Sequence, residues 1–269
     1  VAVQQEFWRR LRAAKTLVSL NFELCMPQNY LVLIGSENPS FGATTHGTGF
    51  LVMKKEDVYV VTCRHVIREA VGGRLFALPN PKRTKNPPGG YSVLILGSPR
   101  FHAKDNQAGT YDIALAQVPD VTQRMLAAQS IVPIEMTSSH VVDAFREGEE
   151  FIAQGYPIDY ANVALAKDSN EPLLPRQIRG TLRNVPLQGI RQQGFDAPLR
   201  EALFAQTDTA NRSGKGMSGS IVHSTQSYQV AGIVLASGDL QRSIQDITIE
   251  TLEGFIFARA GRIIEAIND

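Results

Sequence analysis

From residue 30 onward the chain is built of apolar runs five to ten residues long, each stopped by turn residues. A first set comprises YLVLIG (30–35), THGTGFLVM (45–53), DVYVVTC (57–63), RLFAL (74–78), YSVLILG (91–97) and DIALAQV (112–118). A second comprises EEFIAQGYP (149–157), RQIRGTLRNV (176–185), EALFAQTD (201–208), SGSIVHS (218–224), YQVAGIVLAS (228–237) and GFIFAR (254–259). Short, β-branched runs at this spacing predict an all-β barrel or sandwich architecture, here in two sets of about six strands. Helices are expected at the two ends. QQEFWRRLRAAK (4–15) places Phe7, Leu11 and Ala14 on one face and is read as a helix packed on the surface, and AGRIIEAIND (260–269) does the same with Ile263, Ile264 and Ile267.

These elements divide the chain into an N-terminal helix and lead-in (1–28), a first β unit (29–120), a connection (121–148) in which RMLAAQ (124–129) is the helical candidate, and a second β unit with its closing helix (149–269). The Pro- and Gly-rich stretch NPKRTKNPPGG (80–90) reads as a solvated loop. Segment 158–200, with Pro172, Pro175, Pro186 and Pro198, is longer than a hairpin needs and is expected to be a regulatory or specificity loop.

The 269 residues suffice for a sizeable core. A formal net charge of +1 gives no electrostatic reason to expect nucleic acid or an anionic membrane as partner. No apolar run approaches the ~20 residues that span a bilayer, and the charged opening residues do not form a secretory signal. Two cysteines, Cys25 and Cys63, are no disulfide framework and read as reduced, buried thiols in a cytosolic setting; a periplasmic or secreted location would require a signal removed before Val1. No cofactor or metal is expected: Cys25, Cys63, His46 and His65 lack the short cysteine spacing of a zinc site, and His46, His102, His140 and His223 read as incidental.

Three passages carry chemistry. In VVTCRHV (60–66) a β-branched strand runs into His65, a rigid base from which an imidazole can act as general base. In YDIALA (111–116) a carboxylate, Asp112, opens an apolar strand, where burial is costly unless the group is hydrogen-bonded. In GKGMSGS (214–220) glycines flank Ser218, so that the backbone can turn sharply and the amides of Gly216 and Ser218 can converge on one spot as an oxyanion hole. A phosphate loop is excluded there, because the lysine is followed by Gly216 and no helical pattern succeeds it. Each passage alone has a structural explanation; their conjunction in the order His, Asp, Ser is what carries weight.

With GTGFLV (47–52), VTCRHV (61–66), YDIAL (111–115), QTD (206–208) and GMSGS (216–220), the chain resembles the trypsin-like serine peptidases, and among them the bacterial HtrA/Deg-like group. The resemblance spans about residues 29–268. It implies two six-stranded antiparallel β-barrels packed perpendicular, with the site in the cleft between them. It further implies a serine endopeptidase in which His65, Asp112 and Ser218 form the triad, acting on a protein or peptide substrate, and is compatible with a dedicated processing enzyme of a bacterial stress or defence system. Leu235, Ala236 and Ser237 would form the wall strand that pairs with substrate, with Arg212 and Ser213 beside the P1 pocket. Arg212 and Lys215 either line that pocket and favour an acidic P1 residue or face solvent, the commoner fate of such side chains.

The chain departs from the family pattern at several points. Cys63 replaces the usual small residue two before the histidine, and Val66 stands where animal enzymes carry a half-cystine. Met217 precedes the serine where many animal enzymes have Asp, so activation by an inserted N-terminus is not expected, and control would fall to loops or a regulatory protein partner. No PDZ-type module is expected to follow the peptidase part within these 269 residues. The rival class is a peptidase-like fold that no longer cuts and serves as a binding or scaffold module.

Overall fold

The computed structural model describes residues 30–38, 42–68, 73–79, 93–105, 110–119, 126, 131–157, 174–185, 190–191, 199–208, 217–244 and 248–269. The expected helix at 4–15 lies outside them, as do Cys25 and the loop 80–90; of RMLAAQ only Leu126, helical and buried, is described. Among the described residues, no helix is long and apolar enough to cross a membrane.

The fold is mostly β. The first sheet holds β1 (Leu31–Asn38), β2 (Gly42–Lys54), β3 (Asp57–Cys63), β4 (Arg74–Pro79), β5 (Leu94–Ile95), β6 (Pro99–Phe101), β7 (Ile113–Gln117) and β8 (Ile134–Glu135). Its order is β5-β4-β1-β2-β3-β7-β6, with β8 parallel to β2. The sheet curls into a half-barrel. One bent stretch links its two ends: β5 pairs with β4 and β6 with β7, while between them Leu96 N–H donates to Leu75 O (3.1 Å) and Gly97 N–H to Gln117 O (2.8 Å). The second sheet holds β9 (Glu150–Gly155), β10 (Arg176–Arg183), β11 (Ile190–Arg191), β12 (Leu203–Gln206), β13 (Ile221–Ser224), β14 (Val230–Ile244) and β15 (Thr248–Arg259). Here β14-β13-β9-β10-β12-β15 closes on itself through the β14–β15 ladder, giving a six-stranded barrel with β11 attached outside.

The rhythm of the apolar runs thus maps onto the strands, with β3 falling on 57–63 as expected. Strands β6, β8 and β11, two or three residues each, were beyond that pattern. The β14–β15 ribbon also extends well past 237 and begins before 254, down to the pair Ile244–Thr248. Its outer half, DLQRSI (239–244) and TIETLE (248–253), is mainly polar and holds no apolar run.

The barrel core is aromatic: Phe151, Phe255 and Phe257 are fully buried, with ring centroids 5.5–5.9 Å apart, and Met217 and Val222 fill the space between strands. A second, larger cluster runs continuously from β1–β3 and β7 into Ile221, Ile233, Leu235 and Ile256, so the two sheets share a buried seam. Helix α1 (Arg64–Arg68) follows β3 directly, and helix α2 (Ala260–Asn268) closes the chain. Ile263, Ala266 and Ile267 of α2 are buried, Ile264 half-buried, and Lys54 of β2 donates to Ile267 O (2.7 Å), supplying a cation to the helix C-terminus.

Tyr30 and His223 join the sheets at the seam through a 3.0 Å bond between the phenol oxygen and Nε2. Burial pushes the Tyr30 phenol up, so it stays protonated and donates, and Nε2 accepts. Burial also pushes His223 down to about 4, against a smaller opposing effect of the Tyr228 backbone. The folded protein therefore binds this proton less readily than the unfolded chain. Stability from the neutral imidazole is present in full above the unfolded value near 6.5 and is lost as pH falls toward about 4. The expected slope is at most about 1.4 kcal/mol per pH unit. Urea midpoints compared across this window should fall with acidification in the wild type and fall less steeply in His223→Gln; parallel curves would show that His223 is not the responsible group.

Candidate active site

The site forms where the end of β3, the start of β7 and the turn before β13 meet. His65 is not on the strand itself but in the first turn of α1, just beyond Cys63 and Arg64. Its Nδ1 lies 2.6 Å from Asp112 Oδ2, and its backbone N–H donates to Asp112 Oδ1 (3.1 Å). Asp112 is 3% exposed, so this carboxylate is buried and depends on those bonds. The short contact assigns the imidazole proton to Nδ1 and leaves Nε2 as the basic nitrogen.

Asp112 stands just before β7 with φ +54, a left-handed conformation that costs a non-glycine residue about 1–2 kcal/mol. Local bonds hold it there. Thr110 Oγ1 accepts the Asp112 N–H (2.8 Å), and Asp112 O accepts the Arg64 N–H (2.9 Å). The twist aims the carboxylate back at α1 instead of along the strand.

Ser218 lies in the turn between Met217 and β13, half-buried, with Ser220 N–H donating to Met217 O (3.0 Å) to close the turn. Met217 is fully buried in the barrel core, a thioether filling space where an ion pair would need a carboxylate. Gly219, at φ +87, lets the turn press against the first sheet: a Cβ there would stand 1.8 Å from Thr48 O and 2.7 Å from Thr62 Oγ1. Thr48 N–H donates to Ser218 O (3.1 Å), Gly219 N–H to Val234 O (2.8 Å), and Thr62 Oγ1 to Thr48 O (2.7 Å). Gly47 sits between Ser218 and α1, where a side chain would meet Val66 at 2.9 Å and Ser218 O at 3.1 Å. The serine turn and the histidine helix therefore both crowd the space that a side chain at Gly47 would take. Thr48 also exchanges two bonds with Tyr156 across the seam, accepting its N–H (2.7 Å) and donating to its O (3.2 Å).

The Ser218 hydroxyl donates to Leu235 O (3.1 Å), so in this rotamer its proton is directed at β14. Leu235 falls in a bulge of β14 between Val234 and Ala236; Ala236 and Ser237 pair with Ile256 and Phe255 of β15. On the opposite side of β14, β13 pairs only as far as Ile233 and β11 begins at Gln241. Among the described residues no strand flanks Leu235–Asp239 there, which leaves an edge for an extended chain to join. Gly216, Arg212 and Ser213, expected from the sequence to border the oxyanion and the P1 residue, lie outside the described residues.

Cys63 is free and fully buried, and its Sγ donates to Val234 O (3.1 Å). Burial first, and then the Asp112 charge, push this thiol up, which argues against a nucleophilic thiolate. Cys63, His65 and Asp112 are the one metal-type donor cluster among the described residues, with ligand atoms within 4.8 Å. A cation would have to break the 2.6 Å His–Asp bond and take the thiol proton. Of the other histidines, His46 bonds Ser36 Oγ (2.7 Å), and His102 faces Glu265 at 3.5 Å. The sequence reading missed Thr48, Thr62 and Thr110, which act through hydroxyl and backbone bonds that no local pattern announces.

No curated protein matches this chain in sequence. Among solved structures, GrC superposes with a TM-score of 0.55 at 16% identity, covering 90% of this chain and 95% of its own. Kallikrein-related peptidase 10, in a complex with Zn2+, does so with 0.52 at 13%, covering 90% and 94%. At such identities these likenesses speak for the fold. The sequence profile of the trypsin-like peptidase domain matches residues 47–233, from Gly47 in β2, through His65, Asp112 and Ser218, to Ile233 in β14, and the chain belongs to that family.

Proposed function

We propose that the protein is a serine endopeptidase in which Ser218 is the nucleophile, His65 the general base and Asp112 the group that orients and stabilises the imidazole. The observation that carries this reading is the 2.6 Å bond between His65 Nδ1 and a buried Asp112 carboxylate, next to a glycine-flanked serine turn. Rotation of Ser218 away from Leu235 O begins the reaction. As Oγ bonds to the scissile carbonyl carbon, its proton passes to His65 Nε2, and the oxyanion rests on the Ser218 and Gly216 amides. His65 then protonates the leaving amine, and water, activated by the same imidazole, releases the acyl group. The edge at Leu235–Ser237, unflanked among the described residues, receives the substrate backbone as an added strand. Within the family we place the chain nearest the HtrA/Deg-like enzymes on the motifs around residues 47–52 and 216–220.

A second reading has one observation behind it: the Ser218 proton is engaged by Leu235 O, as a scaffold without turnover would allow. A fluorophosphonate probe separates the two. The wild type is expected to be labelled at Ser218 and Ser218→Ala to remain unlabelled; equal absence of label in both would leave the scaffold reading standing.

A further inference from the structure

Asp105 is a second buried carboxylate beside the site, with its side chain 2% exposed, and the chemistry above makes no use of it. It is held at both ends of the His65–Asp112 pair. Oδ1 accepts the Tyr111 N–H (2.7 Å). Oδ2 accepts the Thr110 hydroxyl (2.8 Å) and faces Arg64 Nη1 at 3.4 Å. Arg64 immediately precedes His65, and its guanidinium also lies 4.8 Å from the centre of the Phe101 ring. Thr110 is two residues before Asp112 and accepts the Asp112 N–H.

A threonine hydroxyl has a single proton. Because the ionised Asp105 can only accept, that proton goes to Asp105, and the Thr110 lone pairs are left facing the Asp112 amide. The same carboxylate neutralises Arg64. We infer that Asp105 is a positioning residue: through Thr110 it holds Asp112 in its left-handed conformation, and through Arg64 it holds the start of the helix that carries His65. The relay Asp105–Thr110–Asp112–His65 spans three separate bonds of 2.8, 2.8 and 2.6 Å. Thr110 is braced from the segment before β12 as well, since it forms an isolated parallel bridge with Leu199 and its carbonyl accepts the Arg200 N–H (2.9 Å). This inference rests on the peptidase reading for its catalytic consequence, and on geometry alone for its effect on the His–Asp bond.

The test compares Thr110→Val, Thr110→Ser and Asp105→Asn in the full chain, with two readouts. One is labelling by a fluorophosphonate, resolved into its maximal rate and its half-saturating concentration. The other is the downfield proton resonance of His65 Nδ1–H and its exchange with water. Thr110→Val is expected to slow the maximal labelling rate by about 10- to 100-fold, with half-saturation changed by less than about threefold, because a small misplacement near reacting atoms acts on the rate and not on probe binding. It should also speed exchange of the His65 proton about tenfold or more, while Thr110→Ser, which keeps the hydroxyl, restores both. Asp105→Asn should follow Thr110→Val. Wild-type behaviour of Thr110→Val in both readouts would overturn the inference, as would equal loss in Thr110→Ser. Failure of the wild type to label would count against the peptidase reading instead, and the proton resonance would then decide the positioning role.

Discussion

Replacing Asp112 with asparagine is expected to lower turnover by about 10⁴-fold while leaving the fold intact. The carboxylate accepts two N–H groups of His65, from the ring and from the backbone. Asparagine keeps the shape and one acceptor, but its NH₂ can be turned toward the ring. An NH₂ facing Nδ1 donates, so Nδ1 must become the acceptor and the proton moves to Nε2, the nitrogen that should receive the Ser218 proton. The imidazolium formed during the reaction also loses its anionic partner. A loss of 10⁴ corresponds to roughly 5.5 kcal/mol of transition-state stabilisation. The change should appear in the maximal rate on a peptide found by library profiling, with KM and thermal midpoint little altered. Activity close to wild type would remove Asp112 from its assigned role and with it the triad.

The largest effect on stability is expected from Gly219→Ala. The residue stands at φ +87, and the added methyl would lie 1.8 Å from the Thr48 carbonyl oxygen, a backbone atom of β2 that already accepts the Thr62 hydroxyl. Relief requires the Ser218 turn to back away from the first sheet. That breaks the Thr48 N–H bond to Ser218 O and the Gly219 N–H bond to Val234 O. Conformational strain, overpacking and two lost buried bonds together exceed about 4 kcal/mol, equivalent to a drop of about 10 °C or more in thermal midpoint. Gly148 provides the contrast. It has φ +84, but no atom stands within 4 Å of the place a methyl would take, so Gly148→Ala should cost only the conformational part, about 1–2 kcal/mol. Similar midpoints for the two variants would show that the close approach at Gly219 is not what binds the serine turn to the first sheet.

Much of the fold is legible in the residue order because strand-forming patterns are local. DVYVVTC alternates its side chains across a sheet within seven residues, and β3 occupies that stretch. The outer β14–β15 ribbon escaped the same reading because DLQRSI and TIETLE carry no sustained apolar run; their strand character comes from pairing with each other, Asp239 with Glu253 through Ile244 with Thr248. His65, Asp112 and Ser218 were readable as a conjunction of unusual contexts. Asp105 and Thr110 were not, because their role is to present a lone pair or take a proton, which many Asp and Thr residues do on any surface.

The order of apolar and turn residues by itself determined that this chain makes two β units, placed a histidine, an aspartate and a glycine-flanked serine at their ends, and marked the C-terminal helix by the face shared by Ile263 and Ile267. Tertiary structure alone decided that Asp112 turns to φ +54, that His65 sits on a helical turn beyond β3, and that the Ser218 turn docks against Thr48 and Gly47. The physical reason is range. Side-chain periodicity is set by neighbours two to four residues away, whereas the bonds that assemble the site join residues such as Thr48 and Tyr156, distant in the chain and adjacent only once both sheets have curled and packed together.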